Sequence, residues 1–268
     1  MNVAQGIIEP ATAKRATFRG TGFRLLWLNA VSYQLIAAAD RFTFVWLVDD
    51  TLDAPAWASG FVVFMLGFPV VLFVLFAGAL ADRGDRRRQL LASQFAGMIV
   101  MATTALLVAS GVINVGLAAV MAFCFGLAYA FAQPVRMSLV PILVGRDRLQ
   151  RAIVLITIGS NLATIVGPVV VGGVISGAGV AWALGLQSLL FAVGFALAWW
   201  LRVPPRDPDL PVPPPITRRR LIAEVREGLS FVWSDPRLRW LFFILGIGGA
   251  VMTGSAYLLL PKLAADQF

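Results

Sequence analysis

The sequence predicts an all-α integral membrane protein: a complete bundle of six spanning helices, followed by a seventh helix that opens a second, incomplete bundle. Three observations carry this prediction. Of the 268 residues, 59% are hydrophobic and 13% charged, about half the charged share of a soluble domain, and the mean hydropathy is +0.82. Apolar runs recur at the ~20-residue length that a helix needs to cross a ~30 Å hydrocarbon core. Strand-like alternation of apolar and polar residues is absent, which argues for helices rather than a barrel.

Residues 1–22 read as a polar-to-mixed cytoplasmic segment. The apolar run that follows starts late and is too long for a signal peptide, so no cleavable signal is expected. Helices are expected at 23–48, 56–81, 89–110, 113–134, 152–176 and 180–201, which together make the bundle of residues 23–201. Short turns join one to two (Asp49 to Pro55), three to four (Gly111, Asn114) and five to six (Gly177, Gly179). Residues 202–237 form a cytoplasmic linker. It opens with seven prolines between Val203 and Pro215, a stiff polyproline II spacer. It then places Leu221, Ile222, Val225, Leu229 and Val232 on one face of an amphipathic helix. Residues 238–268 hold helix seven (238–260) and the start of a truncated C-terminal half, with GIGGAVMTGSAY read as close helix packing.

The charges set the orientation. Lys14, Arg15, Arg19 and Arg24 precede or open helix one, Arg83 and Arg86 to Arg88 sit between two and three, and Arg136, Arg146, Arg148 and Arg151 surround the four-to-five connection. Eight more arginines follow helix six, whereas the three short turns carry no Lys or Arg, only Asp49, Asp50 and Asp53. By the positive-inside rule the basic side is cytoplasmic, with the N-terminus. A net charge of +8 and a pI near 10.9 would suggest nucleic acid in a soluble protein. Here topology explains the charge, so the expected partner is the lipid bilayer and not nucleic acid. With no His and the single Cys124 inside an apolar run, neither a metal cluster nor a nucleophile–His pair is available. No enzyme activity and no cofactor are predicted.

Three groups of residues stand out. Helix one carries Asp40 and Arg41 inside an apolar span, and 100° spacing puts Asn29, Tyr33 and Asp40 in one sector. Asp40 and Arg41 either neutralise one another or snorkel, or Asp40 lines a water-filled cavity and binds a proton or cation. Helix five carries GSNLATIVGPVVVGG, in which Asn161, Gly167, Pro168, Gly172 and Gly173 are flanked by Thr157 and Thr164. Such content serves close packing or a mechanical kink. Finally, GALADRGDRRR (Gly78 to Arg88) crowds six charges into its last seven residues, and a topology signal alone leaves the two interleaved aspartates unexplained.

GALADRGDRRR resembles the helix two–three signature of the major facilitator superfamily, through Gly78, Asp82, Arg83, Arg86, Arg87 and Arg88, with Asp85 where many members have glycine. FAQPVRMSLVPILVGRDRLQRA is similar to the branch that contains the enterobactin exporter, through Pro134, Arg136, Pro141, Leu149 and Ala152. GPVVVGG resembles the antiporter signature of helix five, with one extra residue between Pro168 and Gly172, and REGLSFVWSDPRLRWLF resembles the entry into helix seven. The resemblance implies two six-helix halves around a central cavity, working by alternating access, each half a pair of inverted three-helix repeats. Helices one and four would line the cavity, placing Asp40 and Asn29 there, and helices two and five would face the other half. Asp82 and the arginines would latch the cytoplasmic side shut. The implied function is proton-coupled export of an amphipathic small molecule, a drug or siderophore, with Asp40 carrying the proton. An importer or facilitator on the same fold is the alternative. So is a non-transporting half-transporter or scaffold, since the chain stops at LLLPKLAADQF and would need a missing half or self-association.

Overall fold

The computed structural model describes residues 19–203 together with 230, 233–241 and 244; of Arg19, Leu75, Ala79, Asp82, Arg83 and Arg146 it describes the backbone alone. The helices are α1 (Arg19–Trp46), α2 (Ala56–Arg83), α3 (Arg86–Ala109), α4 (Val115–Val144), α5 (Leu149–Ala178) and α6 (Val180–Trp200). With one exception, their ends lie within four residues of the expected ones. The segment 1–18, the proline spacer, all five residues of the amphipathic face and, of helix seven, residues 242, 243 and 245 onward lie outside the described residues.

The exception is the fourth helix, which was expected to stop at Pro134. Instead α4 continues ten residues further, through Pro134 and Pro141. A proline removes one backbone hydrogen bond, which neighbouring helices in a membrane bundle compensate. The physical stop is Gly145, at φ +75°, whose N–H donates to Pro141 O. Arg136 therefore belongs inside the bundle and not to the basic connection between helices four and five.

Local chemistry explains the remaining ends. The Asp85 side chain accepts from Arg88 N–H at 3.1 Å and starts α3, and Asn114 does the same for Leu117 N–H and α4 at 2.9 Å, each satisfying an orphan donor of a first turn. Gly179 ends α5 and opens α6 in a single residue, at φ +92° and ψ +170°, a conformation open only to glycine. At its far end α1 widens into one π turn, Leu47–Thr51, and the Asp49 carboxylate there accepts from Ser59 Oγ of α2. In the separate described stretch, residues 236–241 are helical. Pro236 occupies the first position and the Asp235 carboxylate accepts from Arg237 N–H at 2.8 Å.

Five of the six helices have the length and apolarity of a membrane span. The sixth, α1, is about 42 Å long by its residue count, but Asn29, Ser32, Asp40 and Thr43 dilute its apolarity, and all four are buried. That places α1 at the centre of the bundle. It packs on α5, α6 and α4; α4 packs on α2, α3 and α1; and α3 packs on α6. Exchanging α1, α2, α3 for α4, α5, α6 maps these contacts onto themselves: α2–α4 becomes α5–α1, and α3–α4 becomes α6–α1. Successive helices alternate in direction, so the two triplets are inverted copies. Tyr33 stacks on Tyr129, ninety-six residues away, and each is the fifteenth residue of its helix.

Backbone contact holds the paired helices. A Cβ added to Gly126 of α4 would sit 2.2 Å from Leu66 O of α2, and one added to Gly167 of α5 would sit 2.6 Å from Leu35 O of α1. With little hydrophobic drive between helices in lipid, such close van der Waals packing is the main cohesive term. Outward, α2 exposes Trp57, Phe61, Phe64, Phe68 and Val71, and α5 exposes Ile158, Leu162, Ile165 and Val169. The basic residues cluster at one end of the bundle, called the basic end below, and Asp49, Asp50 and Asp53 at the other.

Candidate functional site

The polar stripe of α1 separates into two stations. The first is built on Asn29. Its Nδ2 donates to Gly194 O of α6 at 2.8 Å, and its Oδ1 accepts from Arg136 Nε of α4 at 3.1 Å. Both ends of one amide thus tie three helices together. The Arg136 guanidinium also donates through Nη1 to Gln133 Oε1 at 3.1 Å and lies 3.5 Å from the centroid of the Tyr33 ring. Tyr33 is itself stacked on Tyr129 and meets the edge of Phe191.

Arg136 is 3% exposed, and among the described residues no carboxylate pairs with it. Burying a guanidinium costs at most about 2.5–3.5 kcal/mol on insertion scales, the value for the centre of a spanning helix. Against this stand about 2 kcal/mol from a desolvated cation–π contact and about 1.5–3 kcal/mol for each hydrogen bond to a charged group. The neutral partners are therefore enough to hold the charge. They do not use all of it: Nη2 is buried without a hydrogen-bond partner.

Asp40 forms the second station. It is 5% exposed, and its Oδ1 accepts from the Arg41 backbone N–H at 2.5 Å. Arg41 itself is half-buried. Eleven residues of helix separate Asp40 from Asn29, about 16 Å along the axis, so the sector of Asn29, Tyr33 and Asp40 is not one site. One turn beyond Asp40, Thr43 Oγ1 accepts from Gln187 Nε2 of α6 at 2.7 Å. Deeper in the bundle, Gln94 of α3 is buried with neither end of its amide paired.

Beside the first station a cleft of about 30 Å³ opens between α1, α4 and α5, bordered by Gln34, Gln133, Arg136 and Ser160 above apolar Leu26 and Val140. That volume holds one or two waters or one small polar group.

At the basic end, Asp85 caps α3 and pairs with Arg88 at 3.2 Å, which accounts for the second interleaved aspartate. Arg87 reaches across to α6, where Nη2 donates to Trp199 O and the guanidinium lies 5.6 Å from the Trp199 ring. Arg86 is half-buried, and a Cβ on Gly78 would meet open space. The side chains of Asp82 and Arg83 lie outside the described set. Along α5, Gly167 meets the α1 backbone, a Cβ added to Gly172 would lie 3.7 Å from the Phe42 ring and one added to Gly173 would meet open space. Pro168 is half-buried, and Asn161 is exposed on the outward face with Thr157 and Thr164.

Sequence reasoning put Asn29 and Tyr33 in one sector and singled out Arg136, but assigned Arg136 to the motif at the connection after helix four and not to the side chains around Asn29. Its place in the bundle was hidden by the proline before it, although the apolar VRMSLVPILV up to Gly145 was a usable signal of a continuing helix. Gln34, Gln133, Gln94 and Gln187 were missed, and each is polar in a run otherwise rich in apolar residues.

A family model described as transmembrane secretion effector matches residues 12–268. Among curated proteins, the chain is 25% identical over 215 residues to the enterobactin exporter EntS of Shigella boydii serotype 18 (strain CDC 3083-94 / BS512). It is equally similar to the protein of that name from Escherichia coli O1:K1 / APEC. Each match takes in 79% of this chain and 49% of the relative, so the chain spans about half the length of the curated relatives it matches. With an inverted pair of helix triplets, a charged α2–α3 turn and a family match over nearly its whole length, the chain belongs to the transmembrane secretion effector family of the major facilitator superfamily.

Proposed function

We propose that the protein is a proton-coupled exporter of an amphipathic small molecule, working by alternating access in the bacterial inner membrane with its basic end in the cytoplasm. The observation that carries this reading is Asp40, a carboxyl group buried within a membrane helix and distant from the Arg136 station. A buried intramembrane carboxyl group is costly and is retained where protons or ions move. The relatives named as exporters favour outward transport, and their enterobactin motivates including siderophores among the substrates to be tried. The positive-inside distribution supports the orientation.

In this reading α1 and α4 face a central cavity, and α2 and α5 face a second six-helix half. The polar row of Thr157, Asn161 and Thr164 on the outward face of α5 supports that placement, because lipid solvates an exposed amide poorly. Pro168 would flex at that interface. The α2–α3 turn would latch the basic end through Asp82, a role supported by the way Asp85, Arg87 and Arg88 already fix the turn to α3 and α6. The outside-facing state loads a proton on Asp40 and releases substrate; the cytoplasm-facing state returns the proton.

The test is accumulation of amphipathic dyes and of a catecholate siderophore in cells expressing the protein at its natural length, with and without a protonophore. Wild type should lower accumulation in a protonophore-sensitive way, and Asp40→Asn should reach the membrane in equal amount but lose that sensitivity. Protonophore-sensitive efflux that survives in Asp40→Asn would remove Asp40 from the coupling step.

A further inference from the structure

We infer that the cleft beside Arg136 is an anion subsite, which takes the oxyanion of an otherwise apolar molecule, a carboxylate, sulfonate or catecholate. This rests on the exporter reading only for its physiological purpose; the binding event itself is independent of proton coupling.

Three features point to an anion. First, Arg136 carries a full charge within the bundle, is nearly inaccessible, and keeps Nη2 unpartnered. Arginine's planar fork suits bidentate oxyanions. Second, two of the other polar groups bordering the cleft can donate, beside Gln34, whose Nε2 already donates to Thr164 Oγ1 at 3.5 Å. Gln133 already spends its amide oxygen on Arg136, which leaves its NH2 to offer, and Ser160 adds a hydroxyl. Among the described residues no carboxylate borders the cleft. Third, Leu26, Val140 and Ile156 supply an apolar wall on the same side. A cation would be repelled by the guanidinium, and a neutral ligand would gain less from it than an oxyanion does.

Depth fits as well. Arg136 lies eight residues from the end of α4, about 12 Å from the basic end, within reach of a molecule loaded from that side. The same chemistry occurs in a lipid headgroup, so the source of the anion needs its own arm in the test.

The test uses the protein at its natural length in phosphatidylcholine nanodiscs, with 1-naphthoate and its neutral isostere 1-naphthamide as probes, read by isothermal calorimetry. Wild type should bind naphthoate about tenfold or more tightly than naphthamide, the scale of one charge-assisted contact. Arg136→Gln should abolish the preference, and Arg136→Lys should retain part of it. Should Arg136→Gln fail to fold, Ser160→Leu fills the cleft without touching any hydrogen bond of Arg136 and should block naphthoate while leaving the helical content intact. Equal binding of the two probes to wild type, or an unchanged preference in Ser160→Leu, overturns the subsite. Competition by phosphatidylglycerol included in the discs assigns the cleft to a lipid headgroup and overturns its use for a transported molecule. None of these readouts depends on Asp40, so failure here and failure of proton coupling are separable.

Discussion

Two glycines in the helix-five motif make different predictions although the sequence presents them alike. In Gly167→Ala the new methyl would sit 2.6 Å from Leu35 O and 3.4 Å from Ala38 Cβ. An ordinary carbon–oxygen contact is about 3.3–3.6 Å, so α1 and α5 must part by nearly an ångström or bend. Overpacking of this kind costs about 1–3 kcal/mol. In Gly173→Ala the methyl meets nothing within 4 Å. Both changes share the same gain in helix propensity, up to about 1 kcal/mol, so the difference between the two variants isolates the packing cost. At about 2–4 °C per kcal/mol for a chain of this size, Gly167→Ala should melt roughly 2–12 °C below Gly173→Ala. The assay is thermal unfolding in detergent, followed by tryptophan fluorescence and by recovery of monodisperse protein. Equal midpoints, or a lower midpoint for Gly173→Ala, would refute the backbone contact between α1 and α5.

At the α2–α3 turn, Asp85→Ala removes the cap of α3 and should cost about 0.5–2 kcal/mol. Asp85→Asn keeps the cap and loses only an exposed ion pair, worth about 0–1 kcal/mol, so the two variants compared by thermal midpoint separate cap from charge. Asn29→Asp puts a carboxylate where Oδ1 now meets Arg136 Nε at 3.1 Å. This internal counter-ion should erase the naphthoate preference, and a preference left intact would show that Arg136 does not set it. Asn29→Leu strands Arg136 Nε in the bundle and should lower stability by about 1–3 kcal/mol, which a midpoint equal to wild type would contradict.

The six helices of the described bundle, their order and the end that carries the arginines were legible, because hydropathy and arginine placement act over windows of twenty residues and tolerate local error. The bundle's centre was less so. Pro134 is a strong breaker in water, and its ordinary meaning ended helix four two residues too early to include Arg136. In lipid, leaving a helix costs more than one lost hydrogen bond, so α4 continues. The 100° spacing that grouped Asn29, Tyr33 and Asp40 was correct about direction but silent about depth, and the third residue lies a half-membrane away from the first. Tertiary partners such as Gly194 O for Asn29, or the Tyr33 ring for Arg136, come from helices remote in sequence, and no local pattern announces them.

The inverted repeat gives those two stations a common origin. Tyr33 and Tyr129 stack where α1 and α4 meet, with a separation of ninety-six residues. The α3–α6 contacts follow nearly the same offset: a Cβ on Gly97 meets Phe191, and one on Gly194 meets Gln94, each pair mapping onto the other at ninety-seven. Under the α1–α4 offset, Asp40 maps onto Arg136, the twenty-second residue of each helix. Because the two helices run in opposite directions, equivalent positions fall at opposite depths. The fold therefore sets an acid toward one end and a base toward the other from a single structural position. In an alternating-access cycle, opening one end would expose the Arg136 station and opening the other would expose Asp40, about the ring stack that marks the crossing. An oxyanion loaded at the basic end and a proton taken up at the acidic end would then never compete for one group, so exchange would proceed through the state of the bundle and not by direct displacement.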